Sequence, residues 1–383
     1  MTSPEDIIIL GASVRAAAFS ALRAGLRPWC ADLFADQDLH ARCSSLRIPL
    51  GGYPKALKAI AESGPAGPWM YTGALENYPT LIQRISEKRF LWGNSGTGLV
   101  LARRPLTLEK IFRSSGICFP KSLTSLPRPA PTSRWLIKPL RGAGGAGIKF
   151  ITSRQNSDFP KRFYFQEFIE GMPCSAVYVG MEGSACCLGA TRQLVGEEWL
   201  HAAPFHHCGS VGPLRLDAAV QTTLDRIGNV LTSHCHLRGL FGVDFILADG
   251  IPWPVEINPR YTASVEVLEY ALGIQAISWH RAAFDTGMTI PCFPEGKRPV
   301  IGKAIIFAKS SREFPQEGPW ARTLVRSKLF EEMPDFADIP AAGSRIECGR
   351  PILTFSSQSG SVHGCIDNLK QIARDLDHCL WKT

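Results

Sequence analysis

The chain has 383 residues, 45% of them hydrophobic and 20% charged, which is enough to bury a core in two or three domains and excludes a disordered or fibrous protein. Its formal charge is +8, but Lys and Arg are scattered, so small anionic substrates are expected and a nucleic-acid groove is not. No apolar run is long enough to span a bilayer, and residues 1–6 lack the basic head and long apolar stretch of a signal peptide; a cytoplasmic protein with no membrane partner is expected.

Residues 7–10 are a short apolar run, followed by Gly11, a helical pattern and a stop at Gly25, the opening of a βαβ unit. A second strand over 29–31 ends at Asp32, where a dinucleotide-binding domain carries its ribose acid. Yet Gly11, Ser13 and Ala16 occupy the places that need three glycines, so a scaffold role is expected in place of NAD binding. A further strand over 70–73 precedes Leu91-Trp-Gly-Asn-Ser95, which closes this α/β domain at about residue 103. A helix near 108–115 follows, and the Pro-rich stretch 126–134 reads as a surface loop.

In Trp135-Leu-Ile-Lys-Pro-Leu-Arg-Gly-Ala-Gly-Gly-Ala-Gly147, a strand presents Lys138 and then a loop with glycines at 142, 144, 145 and 147. A backbone without side chains closes over phosphate oxygens, and Lys138 supplies a point charge; no Gly-Lys-Ser/Thr ends the loop, so it is not a P-loop. The strand Tyr164-Phe-Gln-Glu-Phe-Ile-Glu-Gly171 follows, its backbone suited to an adenine and its carboxylates to a ribose.

Residues 239–248 read as a strand bearing Asp244, turned by Asp249-Gly250 into Ile251-Pro-Trp-Pro-Val-Glu-Ile-Asn-Pro-Arg260. Glu256 and Asn258 are two apart and share a face, opposite Asp244. Hard oxygens gathered there suit Mg²⁺, with Mn²⁺ as an alternative, and Arg260 suits a transferring phosphoryl group. Carboxylates among Val255, Ile257 and Pro259 are costly to bury without such a partner.

Twelve cysteines include no C-x-x-C pair, so most are expected to be small buried residues, and His201, His206, His207 and Cys208 are expected to be structural. Thr191, Arg192, Gln193, His206, His207, Ser210, Tyr261, Ser264 and Glu266 are candidates for an acceptor pocket, with Arg192 offered to a substrate carboxylate. Beyond a linker at 291–299, a strand near 300–309, two more at 344–348 and 351–356, and a helix over 362–376 complete the chain.

These blocks resemble the ATP-grasp superfamily: Ile137-Lys-Pro139 with its glycine loop, Gln166-Glu-Phe-Ile-Glu-Gly171, and Gly242-Val-Asp-Phe245 with Val255-Glu-Ile-Asn-Pro-Arg260. The resemblance implies a mixed α/β and α+β protein with an N-terminal α/β domain (1–103), two nucleotide-binding lobes (104–290) and a small β-rich C-terminal lobe (291–383). It implies ATP held by Lys138, the glycine loop, Glu167, Phe168 and Glu170, metal on Glu256 and Asn258, and Asp244 either as a third ligand or as a support for Arg260. The superfamily's first phosphate-binding lysine is absent; Arg104 fits that place best, with Lys110 as the alternative. The activity implied is an ATP-dependent carboxylate–amine ligase working through an acyl phosphate, with Lys138 and Arg260 as its catalytic groups.

A nearer resemblance, to the tyramine–glutamate ligase-like proteins of one-carbon cofactor biosynthesis, rests on Leu91-Trp-Gly-Asn-Ser95, Ala190-Thr-Arg-Gln-Leu-Val-Gly196 and Arg260-Tyr-Thr-Ala-Ser-Val-Glu-Val-Leu268. It implies glutamate and an aromatic amine as substrates. A different acceptor, a kinase-like transfer, a non-catalytic ATP-binding module and a homo-oligomer stay open.

Overall fold

The computed structural model describes residues 5–125, 134–151, 162–285, 298–325 and 330–381. Most of the loop expected over 126–134 and of the linker expected over 291–299 lies outside the described residues.

The N-terminal strands β1 (Asp6–Leu10), β2 (Arg27–Asp32), β3 (Ser44–Arg47) and β4 (Trp69–Tyr71) form a parallel sheet in the order β3-β2-β1-β4. The run Ile7–Leu10 is wholly buried, as a strand covered on both faces must be. Gly11 is required because a methyl there would overlap the Thr72 hydroxyl. Asp32 is taken up by the turn: its carboxylate accepts the N–H groups of Val14, Phe34 and Ala35 at 3.1, 3.0 and 2.7 Å, so the acid that suggests a ribose partner instead organises the loop.

A small antiparallel sheet follows, built from β5 (Ser122–Leu123), β6 (Trp135–Pro139), β7 (Lys149–Phe150) and β8 (Phe163–Glu167) in the order β5-β8-β6-β7. The helix Pro105–Ser114 leads into it, with Pro at its first turn and Leu108 and Phe112 buried.

The centre is an eight-stranded sheet. It contains β9 (Met172–Met181), β10 (Ser184–Val195), β11 (His207–Gly212), β12 (Gly239–Ala248), β13 (Ile251–Asn258) and β14 (Val300–Phe307). Outside it, β15 (Arg312–Glu313) pairs with β17 (Arg345–Ile346); β16 (Phe336–Ala337) and β18 (Pro351–Ser359) complete the large sheet, whose order is β13-β12-β9-β10-β11-β14-β18-β16. The strands expected to form a separate C-terminal lobe are therefore continuous with the preceding strands through the β11–β14 pairing.

Strand β9 is buried on both faces. Cys174, Ala176 and Tyr178 meet the long helix Ala218–Cys235, where Tyr178 stacks on Phe241 at 5.0 Å; Val177 and Val179 meet Val265, Leu268 and Ile277 on the other side. The closing helix Val362–Trp381 buries Cys365, Ile366, Leu369, Ala373, Leu376 and Leu380, a helical spacing that covers β14 and β18.

Two polar clasps hold the N-terminal sheet to the rest. Arg15, 1% exposed, pairs with Glu266 and with Asp338 at 2.9 Å, while Lys303 reaches the same Glu266 at 2.7 Å. The Nδ1 of His280 accepts the Leu240 N–H at 2.7 Å and its Nε2 lies 3.1 Å from the Trp92 carbonyl, a pair that requires a neutral ring with its proton on Nε2.

Burial pushes His280 from its ordinary 6.5 down to about 4. The unfolded chain thus binds a proton that the native ring refuses, and stability present above pH 6.5 is lost as pH falls towards 4. The shift corresponds to roughly 3 kcal/mol. Urea denaturation between pH 7 and 4.5 should show this decline, and His280→Asn, which keeps an acceptor for Leu240, should flatten it; an unchanged slope in that variant would rule the ring out.

Candidate active site

The glycine loop between β6 and β7, the end of β8 and the β12–β13 hairpin face one another across a cleft of about 820 Å³, a volume suited to a small-molecule ligand. One end is acidic and basic together. Asp244 lies directly opposite Glu256, and Asn258 opposite Gly242, so the three polar side chains gather where the hairpin leaves the apolar core. Asn258 Nδ2 donates to Asp244 at 3.0 Å and Gln193 Nε2 donates to the other Asp244 oxygen at 2.9 Å. Burial, reinforced by the Glu256 charge, pushes Asp244 up to about 6. Burial alone would also raise Glu256, but Arg103 and Lys138 outweigh it and hold that carboxyl below its ordinary value. Two carboxylates and an amide oxygen converging on one face form a hard donor set that fits a divalent cation.

Arg260 is fixed from three sides. Its Nε donates to Glu76 at 2.9 Å, and its terminal nitrogens donate to Asn258 Oδ1 and the Tyr261 carbonyl, each at 3.0 Å. Lys138 is buried on β6 with its ammonium 3.0 Å from Gln166 Oε1. The glycine loop is closed down: His207 N–H donates to the Gly144 carbonyl at 3.1 Å and Asn77 Nδ2 to the Gly142 carbonyl at 3.2 Å. Gly142, Gly144 and Gly145 line the cleft, whereas Gly147 is not among its lining residues.

The other end is aromatic. Phe150 meets Phe168 at 5.0 Å and Phe205 at 5.3 Å, with the Arg134 guanidinium over the Phe150 and Phe168 rings. Glu167 and Phe168 line this end; Glu170 is exposed and outside the lining.

Arg104 does not reach the site. It is exposed at the N-cap of Pro105–Ser114, and Lys110 is exposed on the same helix. The group that turns inward is Arg103, which donates to Glu256 at 2.8 Å and to the Ile257 carbonyl at 3.2 Å. The chain bends at Pro105, so adjacent arginines point in different directions, and only packing decides which enters. Arg192 is likewise misplaced as a cleft residue. Alternation along β10 turns Thr191 and Gln193 towards the site and sends Arg192 to the opposite face, across the strand pair from Cys174. Ser264 lines the cleft and is bonded by Thr191 at 2.9 Å and Ser210 at 3.2 Å; Tyr261 and Glu266 are buried outside it.

Glu76, Asn77, Arg103 and Gln166 were not singled out by residue pattern. Glu76 and Asn77 had one available signal: they follow the carboxyl end of a parallel strand, where open α/β sheets place ligand-binding loops. In the segment 201–208, His201 lies 2.9 Å from Asp377 and Cys208 is buried, while Pro204, Phe205 and His207 line the cleft. Among the described residues no group of three or more His, Cys, Asp or Glu is arranged to hold a metal.

Residues 105–264 match the family model for the ATP-grasp domain. Its fold is similar over 96% of the chain to N5-carboxyaminoimidazole ribonucleotide synthetase from Thermus thermophilus (TM-score 0.68, 14% identity, 98% of that chain). It is similar over 98% to L-amino acid ligase from Bacillus licheniformis (TM-score 0.68, 15% identity, 98% of that chain). It is similar over 96% to biotin carboxylase from Campylobacter jejuni (TM-score 0.69, 14% identity, 90% of that chain). An uncharacterised protein of Methanocaldococcus jannaschii is 25% identical over 139 residues, a match spanning 35% of this chain and about a third (32%) of that protein.

Gly145 has φ +82°, and a methyl there would overlap the Phe205 carbonyl oxygen. Gly145→Ala should therefore hold the loop away from β11 and lower kcat/KM for ATP about 100-fold, with the thermal midpoint moved by only a few degrees. Steady-state kinetics and a melting curve check both parts.

Proposed function

We propose that the chain is an ATP- and Mg²⁺-dependent carboxylate–amine ligase. The observation that carries this reading is the meeting of Asp244, Glu256 and Asn258 with Arg103, Lys138 and Arg260 beneath a glycine loop. A carboxylate oxygen attacks the γ-phosphorus and ADP leaves; an amine nitrogen then attacks the acyl carbon and phosphate leaves with the C–O electron pair. Lys138 and Arg103 hold the phosphates, and Arg260, oriented by Glu76, offsets charge on the transferring group. A divalent cation, Mg²⁺ or Mn²⁺, held by Asp244, Glu256 and Asn258 would neutralise triphosphate charge. The glycine loop excludes water from the acyl phosphate.

The fold shared with an L-amino acid ligase supports an amino-acid carboxylate, and the nearer sequence resemblance supports glutamate joined to an aromatic amine such as tyramine. The fold shared with the biotin carboxylase domain of a 2-oxoglutarate carboxylase from Hydrogenobacter thermophilus, solved with bicarbonate, keeps bicarbonate as a second acceptor to test. A screen of carboxylates and amines should yield ADP, phosphate and an amide by mass, and a separate bicarbonate arm would yield ADP, phosphate and an N-carboxylated amine instead. A stable phosphorylated product would identify a kinase instead, and nucleotide binding without turnover across the screen would favour a regulatory module.

A further inference from the structure

We propose that His207 is the base of the amide-forming step, its Nε2 receiving the proton that the attacking amine gives up. The inference rests on the ligase reading above and adds the group that carries the nucleophile's proton away.

His207 opens β11 and pairs with Val195 of β10, so the two side chains share a face of the large sheet, and both line the cleft. The imidazole Nε2 is buried and has no hydrogen-bond partner among the described residues. Thr262 Oγ1 belongs to the same cleft and is in the same condition. Buried polar atoms are rarely left unpaired, so two of them on one cleft mark a polar group that arrives with a ligand. The backbone N–H of His207 is tied to the Gly144 carbonyl, which fixes the start of β11 against the closed glycine loop.

Elimination narrows the role. An acyl phosphate is attacked by a nitrogen lone pair, so the amine has protons to lose and a positioned base speeds that loss. Among the lining residues able to take up a proton, Asp244 and Glu256 belong to the cation's donor set and Glu167 lies at the aromatic end, which leaves His207. Burial, with the charges of Lys303 and Arg260 added, pushes its imidazole from 6.5 down to about 4, so the ring is neutral and keeps a lone pair. Phosphate oxygens seated against Arg260 offset one of those two charges and strengthen the base where the reaction occurs.

The free amine, its ammonium proton given to solvent, attacks the acyl carbon, and the nitrogen then carries one proton too many. That proton passes to Nε2. The C–O bond to the phosphate breaks, phosphate leaves with the electron pair, and the imidazolium returns the proton to the departing phosphate or to water.

The test is product formation by the full chain from ATP and glutamate with two nucleophiles. One is tyramine, or the amine that the screen returns in its place; the other is hydroxylamine. Hydroxylamine is a much weaker base than an alkylamine, so its adduct sheds a proton to water unaided and the hydroxamate reports acyl phosphate formation alone. His207→Gln, which stays polar but cannot carry the proton, should lower kcat for the amide about 100-fold, with KM for ATP and the rate of hydroxamate formation nearly unchanged. His207→Ala should show the same loss, and added imidazole should restore part of it. A variant that loses both products equally, or neither, would overturn the base assignment and leave the ligase reading standing. So would a wild type that makes hydroxamate but an amide with no amine of the screen. No product from wild type with either nucleophile would overturn both. If neither variant folds, wild-type single turnovers decide: a solvent deuterium isotope effect is expected on amide but not on hydroxamate formation, and equal effects would overturn the assignment.

Discussion

Glu256→Gln is expected to lower Mg²⁺-dependent turnover about 10³-fold while the protein stays folded. The amide keeps an oxygen for the Arg103 guanidinium, which sits 2.8 Å from Glu256, so the link between the end of the helix Gly96–Ala102 and β13 survives. What is lost is the charge. Glu256 is the carboxyl that its cationic neighbours keep ionised, whereas Asp244 opposite it is pushed up to about 6 by burial and by the Glu256 charge. Removing Glu256 therefore takes away the dependable anion of the donor set. ADP release followed against Mg²⁺ concentration, together with circular dichroism, checks the result; an unaltered Mg²⁺ response would sink the metal assignment.

Glu266→Ala is expected to have the largest effect on stability, a loss of about 3–5 kcal/mol. Glu266 is 0% exposed and accepts from both Arg15 and Lys303. Its carboxyl is held far below the ordinary value because those two cations outweigh the cost of burial. Arg15 would keep Asp338, but Lys303, 5% exposed, would lose the carboxylate it donates to. The three residues also join separate parts of the chain: Arg15 from the first helix, Glu266 from the helix Ala263–Leu272 251 residues on, and Lys303 from β14. Urea denaturation followed by tryptophan fluorescence measures the shift. Arg345→Ala, which breaks an exposed pair with Glu347, is the control and should leave the midpoint in place. A Glu266→Ala midpoint as unmoved as the control would show that the buried cluster does not hold the lobes together.

The charged residues of the site fall into two groups by how they entered the fold. Lys138, Asp244, Glu256, Asn258 and Arg260 sit within strand patterns or just after them. Period-two alternation and the Asp249-Gly250 turn set the placement of Asp244, Glu256 and Asn258 on one hairpin before any tertiary contact is considered, whereas Lys138, on a strand of the other sheet, meets them only through packing. Arg103, Glu76 and Asn77 sit in or beside short irregular segments, at the approach to Pro105 and in the turn after β4. There the direction of a side chain depends on what packs against the backbone.

The α/β opening, the glycine loop and the acid-bearing hairpin were legible in the residues alone, because each is written in local periodicity and turn chemistry; the likeness to ATP-grasp domains rested on residue blocks that resemble that superfamily, and the match over residues 105–264 agrees with it. The closing helix was legible too, though it runs on to Trp381, beyond the span its pattern first indicates. Packing in three dimensions was needed to bring Arg103 and not Arg104 into the cleft, to turn Arg192 away from it, and to make Glu266 a structural counter-ion. It also left the Gln166 side-chain NH₂ without an acceptor among the described residues. Those outcomes depend on which distant segments meet, and burial of charge is settled by partners such as Glu266 for Arg15, 251 residues away, and Glu256 for Arg103, 153 away, that no local pattern records.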